Sequence, residues 1–399
     1  MIPLSTAPRV NIRTPDVMSH VQAQIEKHYH SELVESVRAQ GGRLRFGTTT
    51  LRLAKEFGFC YGVERAIDLA YAAGKVFSDK NIYLLGEIIH NPDVNAQIEA
   101  LGIHCLPPRP KPDDLAILKP EDVVIVPAFG AEASLIALVK QIGCQIVDTT
   151  CGDVMSVWKR VRQNATEGVT SIIHGKADHE ETRATASRAL GADGKGQYLI
   201  VLDMEETRAV ADYILHGGDP AAFLQRFAGK TSEHFDPALH LQRIGVANQT
   251  TMLRSETEAI QAHLRSAITE RDQGDTSHFR YFDTICGATQ DRQDSLFHLL
   301  SEPLDLLIVV GGYNSSNTTH LVEIGIQKLP TWFIRNADCL TSEKELRHFD
   351  IHTKSEITSS DWLPDRPELV VGITAGASCP NNLIEETIRR VLTLRGTPL

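Results

Sequence analysis

The sequence predicts an α/β protein with mostly parallel sheets. Short apolar runs such as DVVIVPAF and DLLIVVGG are each followed by a turn of small or polar residues and then by an amphipathic helical pattern, from residue 51 onward. Apolar runs that alternate with helices in this way are typical of parallel strands buried on both faces. Ligands of such folds bind at the carboxyl ends of the strands, where these turns lie.

Length and charge limit the classes of protein that are compatible with the sequence. The 399 residues are enough for two or more domains, and the net charge of -11 argues against nucleic acid or a membrane surface as the main partner. No apolar run approaches the roughly 20 residues of a transmembrane helix, and no signal or transit peptide is recognisable. We expect a cytoplasmic protein, or a stromal one only if the source carries plastids.

Four segments are predicted along the chain. Residues 1–50 form an N-terminal extension, in which MSHVQAQIEKHYHSELVESVRAQGG predicts one helix that ends at Gly41-Gly42. Residues 51–150, 151–285 and 286–399 are predicted as three α/β modules, with 51–61 as a segment that can pack on the third. An insertion is predicted near residues 215–242, where Gly-Gly and two Asp-Pro pairs interrupt the pattern.

Three of the seven cysteines share one local setting. Cys60, Cys151 and Cys286 each lie at a strand-to-helix turn, with glycine at the next position or the one after. Backbone N–H groups and the helix dipole stabilise a thiolate there. Wide and similar spacing suggests that each module supplies one cysteine. The absence of a CxxC motif excludes a zinc knuckle and a ferredoxin-type motif.

Two interpretations of these cysteines stay open from the residues alone. Buried structural thiols are the ordinary role of cysteine in a reducing compartment. If the three thiolates converge, they suit a [4Fe-4S] cluster in which one iron has no protein ligand and is open to substrate. In that case we expect Gly62 to permit a tight backbone turn beside Cys60.

Other turns contain histidines, hydroxyls, amides and carboxylates. Helix capping explains each of these turns taken alone, but several such helix N-termini together are typical of a phosphate or diphosphate site. Neither GxxxxGK[ST] nor GxGxxG is present, which disfavours an NTP or dinucleotide site. The turns contain His90; His174, His179, Glu180 and Glu181; Gln249, Thr250 and Thr251; Ser315, Ser316 and Asn317; and Ser378.

Eight motifs follow one another in the order GFCYGVERAI, GEIIHNP, DTTCGDV, HEETRAT, NQTTM, DTICGATQDRQ, NSSNTTHL and TAGASCP. Together they resemble the 4-hydroxy-3-methylbut-2-enyl diphosphate reductase family over roughly residues 51–390, in its longer cyanobacterial and plastid branch. The resemblance implies a trefoil of three α/β modules around a central [4Fe-4S] cluster with one open iron. It also implies reductive removal of the substrate hydroxyl, which gives isopentenyl and dimethylallyl diphosphate.

The resemblance assigns roles to the residues of these turns. Glu181 is implied as the proton donor, with Thr250 beside the substrate hydroxyl and His179 in the same catalytic group. Thiolates and a diphosphate favour a neutral Glu181 and a protonated imidazole at His90 or His179. The implied ligands are Cys60, Cys151 and Cys286, and the implied substrate-binding residues are His90, His179, Thr250, Ser315, Ser316, Asn317 and Ser378.

Electrons have to come from another protein, because no flavin or nicotinamide motif is visible. We expect a small reduced ferredoxin or flavodoxin as the donor. Both are usually acidic, as is this chain, so docking requires a local basic patch. Lys159, Arg160 and Arg162 are candidates for it, and a solvated helix face is the alternative interpretation.

One turn departs from the family pattern. Phe129 stands where many bacterial members have a histidine, and His174 or Lys176 are candidates to replace that cation.

Three rival interpretations of the function apply. An iron–sulfur hydro-lyase would dehydrate its substrate without redox change. An iron–sulfur sensor or carrier would need neither an acid nor a diphosphate pocket, which the polar turns disfavour. The third rival is an α/β protein without a cluster.

Overall fold

The structure is a computed structural model that describes residues 12–282 and 284–397. Residues 1–11, which belong to the predicted N-terminal extension, lie outside the described residues. The helices are α1 (Pro15–Tyr29), α2 (Glu32–Ala39), α3 (Tyr61–Val76), α4 (Pro92–Glu99), α5 (Ala133–Ile142), α6 (Gly152–Thr166), α7 (Glu180–Ala189), α8 (Met204–His216), α9 (Pro220–Arg226), α10 (Pro237–His240), α11 (Arg254–Arg271), α12 (Gly287–Leu299), α13 (Ser316–Ile326) and α14 (Asn381–Leu394). The strands are β1 (Arg43–Phe46), β2 (Thr49–Leu53), β3 (Ile82–Leu84), β4 (Ile103–Cys105), β5 (Val123–Val126), β6 (Gln145–Asp148), β7 (Thr170–His174), β8 (Tyr198–Val201), β9 (Ile244–Asn248), β10 (Phe279–Tyr281), β11 (Leu306–Val310), β12 (Thr331–Ile334), β13 (Glu345–Asp350), β14 (Ser355–Ser360) and β15 (Leu369–Ala375).

The chain folds into two compact units. The first unit contains Lys80–Gly86 and Cys105–Cys286. The second contains the described residues up to Asp79, Glu87–His104 and the described residues from Gly287 onward. Strand β4 lies where the chain passes from the second unit into the first.

In the first unit, one sheet has the strand order β10-β9-β7-β8 with all neighbours parallel. Ile172 and Val246 contribute to a core on one face, together with buried residues of α8 and α11. Ile173 and Ala247 contribute to a core on the other face, with buried residues of α6 and α7. Helices therefore cover both faces, which is the reason for the continuous apolar runs in the sequence.

The first unit also contains the parallel strands β3, β5 and β6, with β5 in the middle. All four residues of β5 are buried. Val124 and Val126 share a core with Leu135 and Val139 of α5, so this helix covers one face of the sheet. The carboxyl end of β5 leads directly into the turn that contains Phe129.

The second unit is built on a sheet of order β1-β2-β15-β11-β12. Only the β1–β2 pair is antiparallel; Leu51 of β2 lies opposite Val371, and Ile308 lies opposite Ile373 in parallel register. Strands β13 and β14 form a separate antiparallel hairpin. The predicted α/β class with mostly parallel sheets is therefore confirmed. The three module boundaries stay a prediction.

The N-terminal segment contains two helices, so the prediction of one helix was wrong. The chain is extended at His30, and the Oγ of Ser31 accepts from the amide of Val34 at 3.0 Å to start α2. The same Oγ donates to Glu385 of α14 at 2.5 Å. Because serine offers this cap and a tertiary partner, the helix breaks there although the polar pattern continues. The segment does end at Gly41-Gly42, as predicted, since α2 stops at Ala39.

Residues near 215–242 form two short helices, α9 and α10, within the first unit. The carboxylates of Asp219 and Asp236 accept from the amides two residues later, at 2.9 Å in both cases, so each Asp-Pro pair begins a helix. Phe223, Phe227 and Phe235 are buried in the core beside α8. The segment is thus a packed part of the unit.

Candidate active site

The first unit holds the buried carboxyl group of Glu181 in the first turn of α7. Its side chain lies 3% exposed, at the carboxyl end of β7. The amide of Thr250 donates to Oε1 at 2.6 Å, and the Thr250 hydroxyl donates to Oε2 at 3.1 Å. A single residue therefore fixes both carboxyl oxygens, which orients the group for proton transfer.

His179 is the N-cap of α7, and its ring is oriented by the helix. Its Nδ1 accepts from the amide of Glu181 at 3.2 Å. When Nδ1 is an acceptor, the ring proton is carried by Nε2 and the imidazole is neutral. The choice between His90 and His179 as the protonated imidazole of the site stays a prediction.

Gln249, one of the polar-turn residues that the sequence singled out, is fully buried between two turns. Its Oε1 accepts from the Lys176 amide at 3.2 Å and from the Thr182 hydroxyl at 3.0 Å. Its Nε2 donates to Thr251 at 2.7 Å. The side chain therefore ties the turn after β9 to the start of α7 and sets where Thr250 stands relative to Glu181. The NQTTM motif marked the turn, but the partners of the amide come from tertiary structure.

Cys286 is attached to the same arrangement through the backbone. Its amide donates to the carbonyl of Thr250 at 3.2 Å, and α12 begins at the next residue, Gly287. The carboxyl group of Glu181, the hydroxyl of Thr250 and the thiol-bearing turn of Cys286 thus belong to one chain of hydrogen bonds. This chain links a predicted acid to a predicted metal ligand.

Cys151 is the N-cap of α6, as the strand-to-helix position predicted. Its amide donates to the carbonyl of Ala128 at 2.8 Å, next to Phe129 in the turn after β5. The half-buried side chain packs against a cluster that includes Trp158. The guanidinium of Arg188 lies 4.4 Å from the centre of the Trp158 ring, and burial lowers the pKa of Arg188 to about 10.

In the second unit, Cys60 is the N-cap of α3. Its amide donates to the carbonyl of Ala377 at 3.3 Å, which places it beside the turn that contains Ser378. The expectation that Gly62 permits the tight turn was wrong, because Gly62 is a buried residue inside α3. The turn is made by Gly58 at φ +80°, where a Cβ atom would lie 2.9 Å from Asn381 Oδ1.

His90 and Ser378 lie together in the second unit. The Ser378 hydroxyl donates to the carbonyl of His90 at 3.2 Å, and the Asn91 side chain donates to the Ser378 carbonyl at 2.9 Å. The Nδ1 of His90 lies 3.1 Å from a carboxylate oxygen of Glu87 and so carries a proton there. A Cβ atom on Gly312 would lie 2.1 Å from the His90 carbonyl oxygen, which restricts that position to glycine.

The N-terminus of α13 carries the serines and the amide of the NSSN motif. Ser315 caps the helix by accepting from the Thr318 amide at 3.3 Å, so the capping interpretation applies to this residue. Ser316 and Asn317 follow in the first turn and are buried. Asn317 accepts from the Ala377 amide at 2.9 Å through Oδ1, whereas its buried Nδ2 has no hydrogen-bond partner among the described residues. A buried donor at a helix N-terminus suits an anionic ligand.

The two candidates for replacing the family histidine differ in their surroundings. His174 is fully buried at the end of β7, and its Nδ1 lies 2.8 Å from the hydroxyl of Thr257 in α11. This contact gives His174 a role in packing β7 against α11. Lys176 is half-buried, and its amide is fixed by Gln249. A contact of either side chain with diphosphate stays a prediction.

Two of the remaining cysteines, Cys144 and Cys379, have environments that disfavour ligation. Burial raises the pKa of Cys144 to about 11, and its Sγ donates to the Lys119 carbonyl at 3.3 Å. Burial also raises the pKa of Cys379, with Asp93 and Glu386 adding to the effect. Thiols with raised pKa values stay protonated and are poor metal ligands.

Every predicted site residue therefore falls into one of two groups. The first unit brings together His179, Glu181, Thr250 and Cys286, and it also holds Cys151. The second unit brings together Cys60, His90, Ser378 and the start of α13. The fold and these groups define an α/β protein with polar sites at the carboxyl ends of parallel strands, where thiols, acids and helix N-termini are gathered.

The chain belongs to the LytB protein family, whose model matches residues 51–392. It is similar to 4-hydroxy-3-methylbut-2-enyl diphosphate reductase of Gloeobacter violaceus, with 46% identity over 385 residues that cover 95% of this chain and 91% of the relative. The enzyme of the same name from Thermosynechococcus vestitus is 46% identical over 378 residues, which cover 94% of this chain and 92% of the relative. The predicted resemblance to the longer cyanobacterial branch is thereby confirmed.

Two solved structures are similar to the chain. One is (E)-4-hydroxy-3-methyl-but-2-enyl diphosphate reductase, described as the terminal enzyme of the non-mevalonate pathway; the TM-score is 0.53 at 26% identity, over 87% of this chain and 99% of the other. The second is the E-1-hydroxy-2-methyl-but-2-enyl-4-diphosphate reductase from Plasmodium falciparum, with a TM-score of 0.62 at 22% identity, over 86% of this chain and 87% of the other; it supports the fold alone. None of the helices in the described part of the chain is long and apolar enough to cross a membrane.

Proposed function

We propose that the protein is a reductase that removes the hydroxyl group of 4-hydroxy-3-methylbut-2-enyl diphosphate and forms isopentenyl and dimethylallyl diphosphate. The substrate takes up two electrons and two protons, and its hydroxyl oxygen leaves as water. The observation that carries the proposal is the pair of hydrogen bonds from Thr250 to Glu181, continued by the backbone bond to Cys286. The names of relatives at 46% identity support the same substrate.

Glu181 is proposed as the group that delivers a proton to the leaving hydroxyl. Hydroxide is a poor leaving group, so a positioned acid lowers the barrier. The Thr250 hydroxyl lies 3.1 Å from Oε2 of Glu181 and can relay that proton, because a hydroxyl both donates and accepts. Burial of Glu181 keeps bulk water away from its carboxyl group.

Cys60, Cys151 and Cys286 are proposed as ligands of one [4Fe-4S] cluster. The donor set fits that group: three thiol side chains, each at the start of a helix, where the helix dipole favours the thiolate. When bound, such a cluster supplies electrons and an open iron that acts as a Lewis acid on the substrate oxygen. The protein's own part is to hold the substrate, exclude water and position the proton.

The diphosphate is proposed to bind in the second unit, at the N-terminus of α13. Ser316 and Asn317 lie in the first turn of that helix, and the buried Asn317 Nδ2 offers a donor that has no partner within the described part of the chain. The Ser378 hydroxyl and the Ser315 hydroxyl complete the predicted set. His90, whose Nδ1 contacts a carboxylate oxygen of Glu87, is proposed as a further hydrogen-bonding partner of the substrate.

A small reduced ferredoxin or flavodoxin is proposed as the electron donor, and the cytoplasm as the site of the reaction. The test uses the protein purified and reconstituted without oxygen, with the allylic diphosphate and reduced methyl viologen. We expect two viologen molecules to be oxidised for each isopentenyl or dimethylallyl diphosphate that mass spectrometry detects. A hydro-lyase would consume the substrate without oxidising viologen, and a sensor or carrier would consume none; either result contradicts the proposal.

A further inference from the structure

Helix α6, which begins at Cys151, presents a basic face to the solvent. Lys159, Arg160 and Arg162 are exposed, whereas the apolar stripe of the helix is buried. None of these three cations forms an ion pair within the described part of the chain. The chain as a whole carries a net charge of -11. A cluster of unpaired cations therefore makes this helix face positive on a protein that is negative overall.

Residues of β10 and its surroundings extend this face. The guanidinium of Arg160 lies 4.9 Å from the centre of the Phe282 ring, which keeps the cation at the surface. Arg280 donates to the carboxylate of Glu167 at 2.6 Å, and Arg243 donates to the Glu167 carbonyl at 3.3 Å. Two arginines thus lie beside a single carboxylate, only one of them bonded to it, so the side chains at the end of α6 carry net positive charge.

An exposed apolar side chain connects the basic face to Cys151. Met155 is 41% exposed, and its amide donates to the Cys151 carbonyl at 3.0 Å. It lies one turn further along the helix, at a distance of about 6 Å along the axis. Because i, i+4 and i+7 positions share one helix face, Met155, Lys159 and Arg162 form a continuous stripe from the cysteine turn. A partner seated on the stripe lies within one helical turn of the cysteine.

We propose that this stripe, with Arg160, is the docking surface for a small acidic protein that carries a one-electron iron–sulfur centre. The inference rests on the proposed function, which requires electrons from outside the chain. Cations around a small apolar contact suit an acidic redox partner, because transient redox complexes bury little area and depend on charge for their association rate. The short distance to Cys151 gives the electron a direct route toward the predicted ligand.

The test compares two doubly charge-reversed variants of the reconstituted enzyme. Lys159→Glu with Arg162→Glu alters the stripe, and Lys140→Glu with Arg208→Glu makes the same change on the exposed faces of α5 and α8. The probe is a reduced plant-type [2Fe-2S] ferredoxin at low ionic strength. We expect the stripe variant to raise the KM for ferredoxin and its calorimetric Kd by on the order of tenfold. Turnover with reduced methyl viologen stays at the wild-type level, and the control variant stays near wild type in both assays.

Several outcomes would contradict the proposal that the stripe is a docking surface. Unchanged ferredoxin KM and Kd in the stripe variant would do so, as would an equal increase in the control variant. A similar loss of turnover with ferredoxin and with viologen would place the defect elsewhere than in docking. If wild-type protein gives no product with viologen, the proposed function fails, and the calorimetric comparison still decides whether ferredoxin binds at the stripe.

Discussion

Thr250 holds the carboxyl group of Glu181 by two hydrogen bonds, one from its amide at 2.6 Å and one from its hydroxyl at 3.1 Å. The carbonyl of the same threonine accepts from the amide of Cys286 at 3.2 Å. One residue therefore positions the proposed acid and the turn of a proposed metal ligand. Movement of this turn would be expected to affect proton delivery and metal binding together.

Replacing Glu181 with glutamine tests the proposed acid. Glu181→Gln keeps an oxygen that can accept from the Thr250 amide but removes the proton to be delivered. We expect turnover with viologen to fall by about a hundredfold or more, whereas substrate affinity and iron content stay near wild type. Product formation and calorimetric binding measure the two effects.

The matched control for this change is Glu205→Gln. Glu205 also lies in the first turn of a helix of the first unit, but its side chain is 82% exposed and pairs with Arg226. Wild-type turnover is expected for this control. Near-normal turnover in purified Glu181→Gln would contradict the proposed role of Glu181 as the proton donor.

The Thr250 hydroxyl can be separated from the Thr250 amide by substitution. Thr250→Val removes the hydroxyl that bonds Oε2 but keeps the amide that bonds Oε1, so the carboxyl group loses one of the two hydrogen bonds that Thr250 donates. We expect kcat to fall by about tenfold to a hundredfold, and Thr250→Ser to restore most of it. If serine and valine give the same kcat, the hydroxyl has no part in orienting or relaying the proton.

The cysteine assignment predicts different results for two thiols of one unit. Cys151→Ser is expected to lose the visible absorption of the reconstituted cluster, because serine at the start of α6 offers no thiolate. Cys144→Ser is the control, since burial raises the pKa of that thiol to about 11 and keeps it protonated at neutral pH. Iron and sulfide analysis measures both variants. A full iron count in Cys151→Ser would contradict the assignment.

Asn317 is predicted to bind the diphosphate through its buried Nδ2. Asn317→Asp keeps the oxygen that accepts from the Ala377 amide but replaces the donor with a second oxygen that repels phosphate. We expect the KM for substrate to rise at least about tenfold, with a smaller effect on kcat. Gln327→Glu adds the same charge at the other end of α13 and serves as control. Equal KM values in both variants would contradict binding of the diphosphate at the N-terminus of this helix.

Local sequence patterns predicted much of the candidate site. Cys60 and Cys151 are helix N-caps, as expected for cysteines between an extended segment and a helical pattern. Ser315 is also a cap, and its ordinary structural role was one of the two interpretations offered by the sequence. These features depend on a few neighbouring residues, so a single sequence contains the necessary information.

Features that depend on tertiary partners could not be predicted. The helix break at Ser31 is secured by Glu385, and the Oε1 of Gln249 accepts from the amide of Lys176 and the hydroxyl of Thr182. The tight turn beside Cys60 is made by Gly58 rather than Gly62, because the approach of Asn381 excludes a side chain there. In each case the deciding atom lies far away in the sequence.

The central claim is that Cys60, Cys151 and Cys286 hold one cluster at which Glu181 protonates the substrate. A crystal structure of the reconstituted protein with bound substrate, grown without oxygen, tests it most directly. We predict that the three sulfur atoms each bind a different iron of a single [4Fe-4S] cluster, with the substrate hydroxyl between the fourth iron and the Glu181–Thr250 pair. A structure in which the Cys60 sulfur binds no iron of the cluster held by Cys151 and Cys286 would contradict the account.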